Sequence, residues 1–437
     1  MKVGNQGIIL GVVFGLYGIA PCGVPRCSAT EEPSVGEYVI AVPHTESSRG
    51  DQEVRLDLTT WKGAADNGQA QGNANPEPFE EVARRAQEAL DADRVPEAIR
   101  LYDRATKLRP DWSEGWWHLG TLLFDAGRFA EARDAFAHFV SVEHRQPGPG
   151  FAMLGLSEFQ LKHYPKALAA LEQGQKVGLG TDPAFVRSVL LHDGILNTLL
   201  GKPEIALPHL NLVANLIAAS HPEAPKDAVF EDIELLDALG TAALRIPKLP
   251  SDLTTAQIPV VRQAGRAQVL IALQDRVAAE AEFKQLLALY PSEPGVNYMY
   301  GVFLLKEHPA LAVDEFRREI EVSPSHAAAR ILLALEFLRT ADYEQGLKYA
   351  REAVALAPKD FVAHVACGRL WLALGKTDPA LQELRTAVKL APGSPDAHFA
   401  LSRALAEAGQ DKEAERERAE FLRLKALADA ADRQRRN

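Results

Sequence analysis

A period of about 34 residues runs through the C-terminal half of the chain and restricts its fold more than any other feature. Three columns keep this spacing, one of prolines and two of small residues: Pro291, Pro324, Pro358 and Pro392; Ala267, Gly301, Ala334 and Gly368; Ala279, Ala312, Gly346 and Ala380. Repetition at this length is typical of solenoids, in which each structural unit packs mainly on its two neighbours.

The segment 361–394 contains the unit in its clearest form, as two helices of about a dozen residues folded back on one another. Gly368 lets the helices approach, Leu384 fills the space between them, and Pro392 ends the second helix. The unit resembles the tetratricopeptide repeat, a helix–turn–helix of about 34 residues with small residues at these places and a closing proline. The resemblance covers residues 79–428 and implies an all-α, right-handed superhelix of about eight or nine units.

The repeat divides the chain into segments. Residues 79–218 are predicted to form the N-terminal units, and residues 260–428 the C-terminal units with a charged capping helix, followed by a tail at 429–437. Between them, 219–259 is an irregular insert with one predicted helix over 227–245.

One extra helix in an antiparallel stack inverts the direction of every later helix. The connection 246–252 reaches about 26 Å when extended, and a helix of 16 residues is about 24 Å long. We therefore expect this loop to cross back along the extra helix, so that the solenoid continues. Two separate superhelical halves are the alternative.

Residues 1–29 resemble a secretory signal peptide. Lys2 precedes an apolar run from Ile8 to Ala20, and small residues lead to a predicted cleavage after Ala29. The alternative is an uncleaved membrane anchor, but the run is shorter than the roughly 20 residues that a span needs. The sequence thus predicts a secreted or periplasmic protein with no membrane span in the mature chain.

Residues 30–78 are predicted to be a flexible linker, because they are polar and rich in Gly and Asn. The stretches 37–42 and 54–61 have strand-like composition, and we expect them to dock on the helices as extended segments. Cleavage after Ala29 would leave Cys367 as the one cysteine. This predicts a chain without an internal disulfide, in which Cys367 is a small buried hydrophobe.

The composition and motifs point away from nucleic acid and from catalysis. The net charge of −11 is the wrong sign for neutralising phosphates. The sequence has no nucleophile elbow, P-loop, HExxH or paired CxxC motif, so no cofactor, metal or enzymatic activity is predicted. His364 and His398 share one repeat position with Trp116, and we interpret them as helix-packing residues rather than metal ligands.

In the tetratricopeptide family the first helix of each unit lines a concave face. Carried onto this sequence, the family's positions give an apolar groove with two arginines at its C-terminal end. The predicted lining is Trp117, Thr121, Phe124, Leu156, Phe159, Leu191, Ile195, Tyr298, Val302, Leu305, Ile331, Leu335, Arg369 and Arg403. The alternatives are that these apolar residues are buried between tightly wound repeats or beneath the linker, or that the surface serves self-association.

The resemblance implies a protein or peptide partner, bound without bond-making chemistry. The first hypothesis is a scaffold or adaptor in an envelope or secretion assembly. The second is a chaperone-like receptor that captures apolar or unfolded segments in the groove. An enzyme without any recognisable motif is a third and weaker hypothesis, and the fold alone does not decide among them.

Overall fold

The computed structural model describes residues 38–40, 54–56 and 77–436 of the 437-residue chain. The predicted signal peptide and most of the predicted linker lie outside the described residues. Within residues 77–436 no helix has both the length and the apolar content that a membrane span requires.

Twenty α-helices make up the described chain from residue 77 onward, slightly more than eight or nine pairs, and they confirm the predicted all-α solenoid. In chain order they are α1 Glu77–Asp91, α2 Val95–Leu108, α3 Ser113–Asp125, α4 Phe129–Val142, α5 Gly148–Gln160, α6 Tyr164–Val177, α7 Pro183–Leu199, α8 Pro203–Ser220, α9 Pro225–Glu231, α10 Ile233–Ala243, α11 Gln257–Ala272, α12 Arg276–Leu289, α13 Val296–Leu304, α14 Pro309–Val322, α15 Ala327–Arg339, α16 Tyr343–Leu356, α17 Phe361–Ala373, α18 Thr377–Leu390, α19 Pro395–Glu407 and α20 Asp411–Arg436. A short 3-10 turn lies at Pro250–Asp252.

The N-terminal region contributes one pair of strands, β1 Tyr38–Ile40 and β2 Val54–Leu56. They pair antiparallel, with residue 39 opposite residue 55, and β2 lies beside helix α7. Both strands fall inside the stretches that the sequence singled out, and the contact with α7 agrees with docking on the helical array.

The small residues that recur at the repeat period let the two helices of a unit pack closely, as predicted. In the unit that contains α17 and α18, a Cβ atom added to Gly368 would lie 2.5 Å from Leu384 Cγ, so only glycine permits this helix spacing. The same contact recurs between Gly120 and the Phe136 ring at 2.7 Å. In both pairs the glycine lies on the first helix of its unit and the bulky residue on the second, at the same offset in sequence. In these two units the helix pair is thus set by one small and one bulky residue.

Short polar residues begin several of the helices. Asp342 accepts a hydrogen bond from the Gln345 backbone N–H at the start of α16, and Asp360 accepts one from the Val362 N–H at the start of α17. These contacts satisfy amide groups that have no partner inside the helix.

The predicted insert differs from its expected form in two ways. The single helix expected over 227–245 is two helices, α9 and α10, separated at Asp232, whose side chain caps α10 by accepting from the Leu235 N–H at 3.0 Å. The 246–252 loop does not cross back, so that prediction is wrong. A Cβ on Gly240 would lie 1.9 Å from Val261 O, and a Cβ on Gly265 would lie 2.1 Å from Leu236 O.

These two glycine contacts place α10 and α11 side by side and antiparallel. Helix α10 is also antiparallel to α8, because Arg245 at its end lies 3.6 Å from Glu204 at the start of α8. The extra helix therefore stays in the stack, and the first helices of the later units point opposite to those of the earlier ones. The small-residue surfaces of α10 and α11 favour a close antiparallel pair over a return loop.

Four hydrophobic cores follow one another along the solenoid. The first spans α1 to α7, the second α7 to α11, the third α10 to α17, and the fourth α17 to α20. Because each core shares a helix with the next, burial is continuous across the reversal at α10 and α11.

Candidate functional site

Most of the predicted groove residues lie in the interior of the protein. Nine of the fourteen are buried: Trp117, Thr121, Phe124, Leu156, Leu191, Ile195, Tyr298, Ile331 and Leu335. Trp117, for example, packs against the rings of Phe136 and Phe139 at centroid distances of 5.8 and 5.3 Å. The alternative of burial between tightly wound repeats therefore describes these nine residues.

Three of the predicted apolar residues keep partial exposure: Phe159, Val302 and Leu305. Phe159 meets the His192 ring edge-on at 4.8 Å, which fixes its orientation. A surface of three half-buried side chains, divided between α5 and α13, is much smaller than the groove that the sequence predicted. Whether these residues contact a partner stays a prediction.

The side chains of the two predicted arginines are at least partly exposed to solvent. Arg403 on α19 is half exposed, with Nη2 4.0 Å from Glu407 Oε1. Arg369 on α17 is partly exposed, and within the described part of the chain its guanidinium makes no hydrogen bond or ion pair. The arginines are one repeat apart, on the first helices of neighbouring units, as the sequence predicted.

The electrostatic surroundings of Arg369 favour an anion. Burial lowers the pKa of Arg369, an effect that the charge of Arg403 reinforces and that of Asp396 opposes. Burial also raises the pKa of the Asp396 carboxyl, and the Arg369 charge works in the opposite direction. Arg369 and Arg403 thus provide two donors of hydrogen bonds to a carboxylate, and two acids partly compensate their charge, Asp396 near Arg369 and Glu407 near Arg403.

His364 and His398 are helix-packing residues, as the sequence indicated. His364 Nδ1 lies 2.6 Å from Glu383 Oε2 and its Nε2 lies 3.1 Å from Pro358 O. His398 repeats this arrangement one unit later with Glu417 and the Pro392 carbonyl. Trp116, at the same repeat position, donates from Nε1 to Pro110 O at 2.8 Å. These three aromatic residues therefore tie their first helices to the turns that precede them.

The glutamates that pair with these histidines were not predicted, although they are visible in the sequence. Glu383 and Glu417 are one repeat apart, and each follows its histidine at the same offset. The two ring nitrogens of His364 face two acceptors, Glu383 Oε2 and Pro358 O. Both hydrogen bonds form only if each ring nitrogen carries a proton, or if the Glu383 carboxyl carries one. A search for polar columns at the repeat period would have found them.

Replacing Glu383 by alanine should lower the free energy of unfolding by about 1 kcal/mol, because His364 Nδ1 loses its charged partner. Urea denaturation followed by circular dichroism measures the change. Glu415→Ala is the matched control, since Glu415 is exposed on α20 and forms no ion pair within the described residues. An equal loss in both variants would contradict a structural role for the pair.

A second polar cluster lies between α7 and α8. Asp193 is fully buried and accepts hydrogen bonds from Gln175 Nε2 and Asn197 Nδ2, each at 2.8 Å, and its Oδ1 lies 2.5 Å from His209 Nδ1. His209 follows Asp193 at the same offset that pairs small and bulky residues in other units. The cluster lies beside the small-and-bulky pair of the same two helices, Gly194 and Leu210, and adds a polar contact to it.

Among the described residues, no three His, Cys, Asp or Glu side chains are grouped so as to hold a metal ion. Cys367 is buried, as predicted, and burial raises the pKa of its thiol to about 12, far from a reactive thiolate.

Comparison with known proteins agrees with this architecture. The tetratricopeptide repeat model matches residues 84–141 and 366–432, at the two ends of the helical array. No curated protein sequence matches the chain.

Three solved structures illustrate the structural similarity. MamA from Desulfovibrio magneticus RS-1 is 19% identical, with 39% of this chain and 97% of that chain covered and a TM-score of 0.36. YrrB, described as a tetratricopeptide protein with an unusual peptide-binding site, is 21% identical over 40% of this chain and 92% of its own, with a TM-score of 0.33. Yeast Tom70 is 14% identical over 82% of this chain and 96% of its own, also with a TM-score of 0.33.

Proposed function

We propose that this chain, a tetratricopeptide-repeat protein, is a non-enzymatic scaffold that holds a partner protein through the C-terminal end of its concave face. Proteins with this repeat generally serve as interaction scaffolds. The observation that carries the specific proposal is Arg369, a cation that is partly buried and forms no ion pair among the described residues. Its partner is a segment that presents a carboxylate, such as a chain terminus or an acidic side chain.

The energetic argument starts from the incomplete solvation of Arg369. A carboxylate binds more favourably to a partly buried guanidinium than to an exposed guanidinium. Less water has to be displaced, and the charges attract more strongly because the local dielectric is lower. Arg403, on the next first helix, offers a second contact to the same anion. Two arginines in one column position an anion more precisely than one does, through their planar and bidentate geometry.

Capture of apolar segments is the second candidate, and it has less support. The apolar residues assigned to the groove are mostly in the core, which leaves Phe159, Val302 and Leu305 as a divided surface. Receptors of apolar segments need a continuous groove. The half-exposed Phe159 is the one observation that favours this candidate.

Charge reversal of Arg369 and Arg403 tests the proposal. Arg369→Glu with Arg403→Glu should weaken binding at least tenfold, to an array of peptides with free C termini and to the partner captured from cell extract. Arg416→Glu with Arg418→Glu is the matched control, because both residues are exposed on α20 and the change in net charge is the same. Peptides with amidated C termini should bind less well than the free acids if a chain terminus is the ligand.

Two results would reject the proposal. One is binding by the Arg369 and Arg403 double variant that equals that of the control. The other is loss of binding only after Phe159→Ala, which would favour capture of apolar segments. Phe159 is the residue to replace in this test, because Phe124 is buried and its truncation would destabilise the core.

The proposal places the scaffold outside the cytoplasm, in an envelope or secretion assembly. This part rests on the sequence of residues 1–29, which lie outside the described residues. N-terminal sequencing of the protein from its native source should give Thr30 as the first residue. A chain that keeps residues 1–29 would favour the anchor alternative.

A further inference from the structure

A cleft of about 840 Å³ opens between helix α16 and the C-terminal end of α17. Its apolar lining includes Leu347, Trp371 and Leu374. Three cations also line it, Lys348 and Arg351 on α16 and Lys376 just after α17. An aromatic ring with aliphatic neighbours, surrounded by positive charge, is suited to a ligand that is both acidic and apolar.

The positive charge of the cleft is only partly balanced by acidic residues of the protein. Lys348, Arg351 and Lys376 form no ion pair with any residue in the described part of the chain. The lining contains two carboxylates, and Glu352 Oε2 already accepts a hydrogen bond from Arg330 Nε at 2.9 Å. Glu344 is therefore the remaining acid in the lining that can offset the three cations. The local surplus of positive charge contrasts with a chain that carries 48 basic and 59 acidic residues. Such a patch on an acidic protein favours an anionic partner.

The cleft is a different surface from the one that holds Arg369. Trp371 follows Arg369 by two residues on the same helix, and residues two apart on a helix do not share a face. Trp371 lines the cleft beside α16, whereas Arg369 is near Asp396 and Arg403 on the side of α19. A partner held at one surface therefore leaves the other open.

We propose that this cleft binds an acidic peptide segment of a partner protein, with one aliphatic or aromatic side chain placed against Trp371. The lining of α16 runs from Glu344 to Ala355, about 16 Å of helix. This length accommodates roughly five residues of extended peptide. Three cations are too few for a nucleic-acid site on a chain of net charge −11. The inference does not depend on the proposed role of Arg369.

A short fluorescein-labelled peptide of alternating glutamate and leucine is the probe, and fluorescence anisotropy with the full chain is the measurement. Lys348→Glu with Arg351→Glu should weaken binding about tenfold or more, since two attractive contacts become repulsive. Both side chains are exposed, so the fold should be retained. The matched control is Lys359→Glu with Lys389→Glu, which makes the same charge change at exposed sites outside the cleft and should bind like wild type.

Two further arms of the experiment separate the cleft from the concave face and test the role of charge. The Arg369→Glu and Arg403→Glu double variant should bind the probe like wild type, even if it has lost the partner of the concave face. A probe with glutamine in place of glutamate should bind at least tenfold more weakly than the acidic probe.

The proposal is overturned if wild type does not bind the acidic probe, or if the Lys348 and Arg351 variant binds it as well as the control does. It is also overturned if the glutamine probe binds equally, or if the Arg369 and Arg403 variant loses the probe. Displacement of the probe by polyuridine at equal phosphate charge would indicate a nonspecific polyanion surface, and would overturn it too.

Discussion

Replacing Gly240 by alanine should lower the free energy of unfolding by about 3 kcal/mol or more, the upper end of the range for overpacked cores. The new methyl group would lie 1.9 Å from the Val261 carbonyl oxygen on α11. That oxygen belongs to the backbone, so no side chain can rotate away, and α10 and α11 must separate. Separation breaks the second close contact, at Gly265 against Leu236 O.

This result would be informative because alanine normally stabilises a helix. In an exposed helix the change from glycine to alanine gains about 1 kcal/mol. Gly393→Ala is the control, since a Cβ there meets no atom within 4 Å. Guanidinium denaturation of both variants measures the difference. Stability of Gly240→Ala equal to wild type would mean that α10 and α11 are not in close antiparallel contact, and that the reversal of helix direction is wrong.

The reversal at α10 and α11 could not be predicted from the period that revealed the repeats. Gly240 lies in the insert, where the spacing breaks down, and Gly265 belongs to none of the three columns, so the period assigns neither glycine a partner. Inside the regular units the prediction succeeded, because Gly368 and Leu384 have a fixed offset and a local contact. Across the insert, the direction of the chain depends on which helix faces fit together, and this is a nonlocal property.

The groove illustrates a second limit of the sequence. The positions taken from the family select one face of each first helix, and they include Arg369 and Arg403, which lie one repeat apart. The same positions did not reveal how tightly neighbouring units pack, so Phe124 and Tyr298 appeared as lining although they are core residues. An apolar side chain satisfies either role equally well in sequence. Arginine at a core position would be costly, so its presence is the better indicator of an accessible surface.

Acidification should destabilise the protein through His326. His326 caps helix α15 by accepting a hydrogen bond from the Ala329 backbone N–H on Nδ1 at 3.1 Å, so this nitrogen must be unprotonated. Burial lowers the pKa of His326 to about 4, and the charges of Arg245 and Arg330 act in the same direction. A proton on Nδ1 would remove the cap and leave an amide donor facing a donor.

The direction of the effect follows from the two pKa values of His326, about 4 in the folded protein and 6.5 as the reference for the unfolded chain. Above pH 6.5 the ring is neutral in both states, and its contribution to stability is complete. As the pH falls toward 4, His326 binds a proton in the unfolded chain but largely not in the folded protein. The free energy of unfolding therefore falls by about 2 to 3 kcal/mol.

His326→Asn isolates this contribution, because asparagine can also cap a helix but does not titrate in this range. Unfolding free energies of wild type and variant, measured by urea denaturation between pH 7.5 and about 4, should converge or cross as the pH falls. The variant also loses the contact between the His326 ring and Tyr298, whose centroids are 4.6 Å apart. This loss lowers its unfolding free energy equally at every pH, so it does not affect how that free energy varies with pH. His144→Asn, at an exposed position, should follow the wild-type curve. Parallel curves for wild type and His326→Asn would show that His326 is protonated equally in the folded and unfolded states, and that its contact with the Ala329 amide does not form the cap.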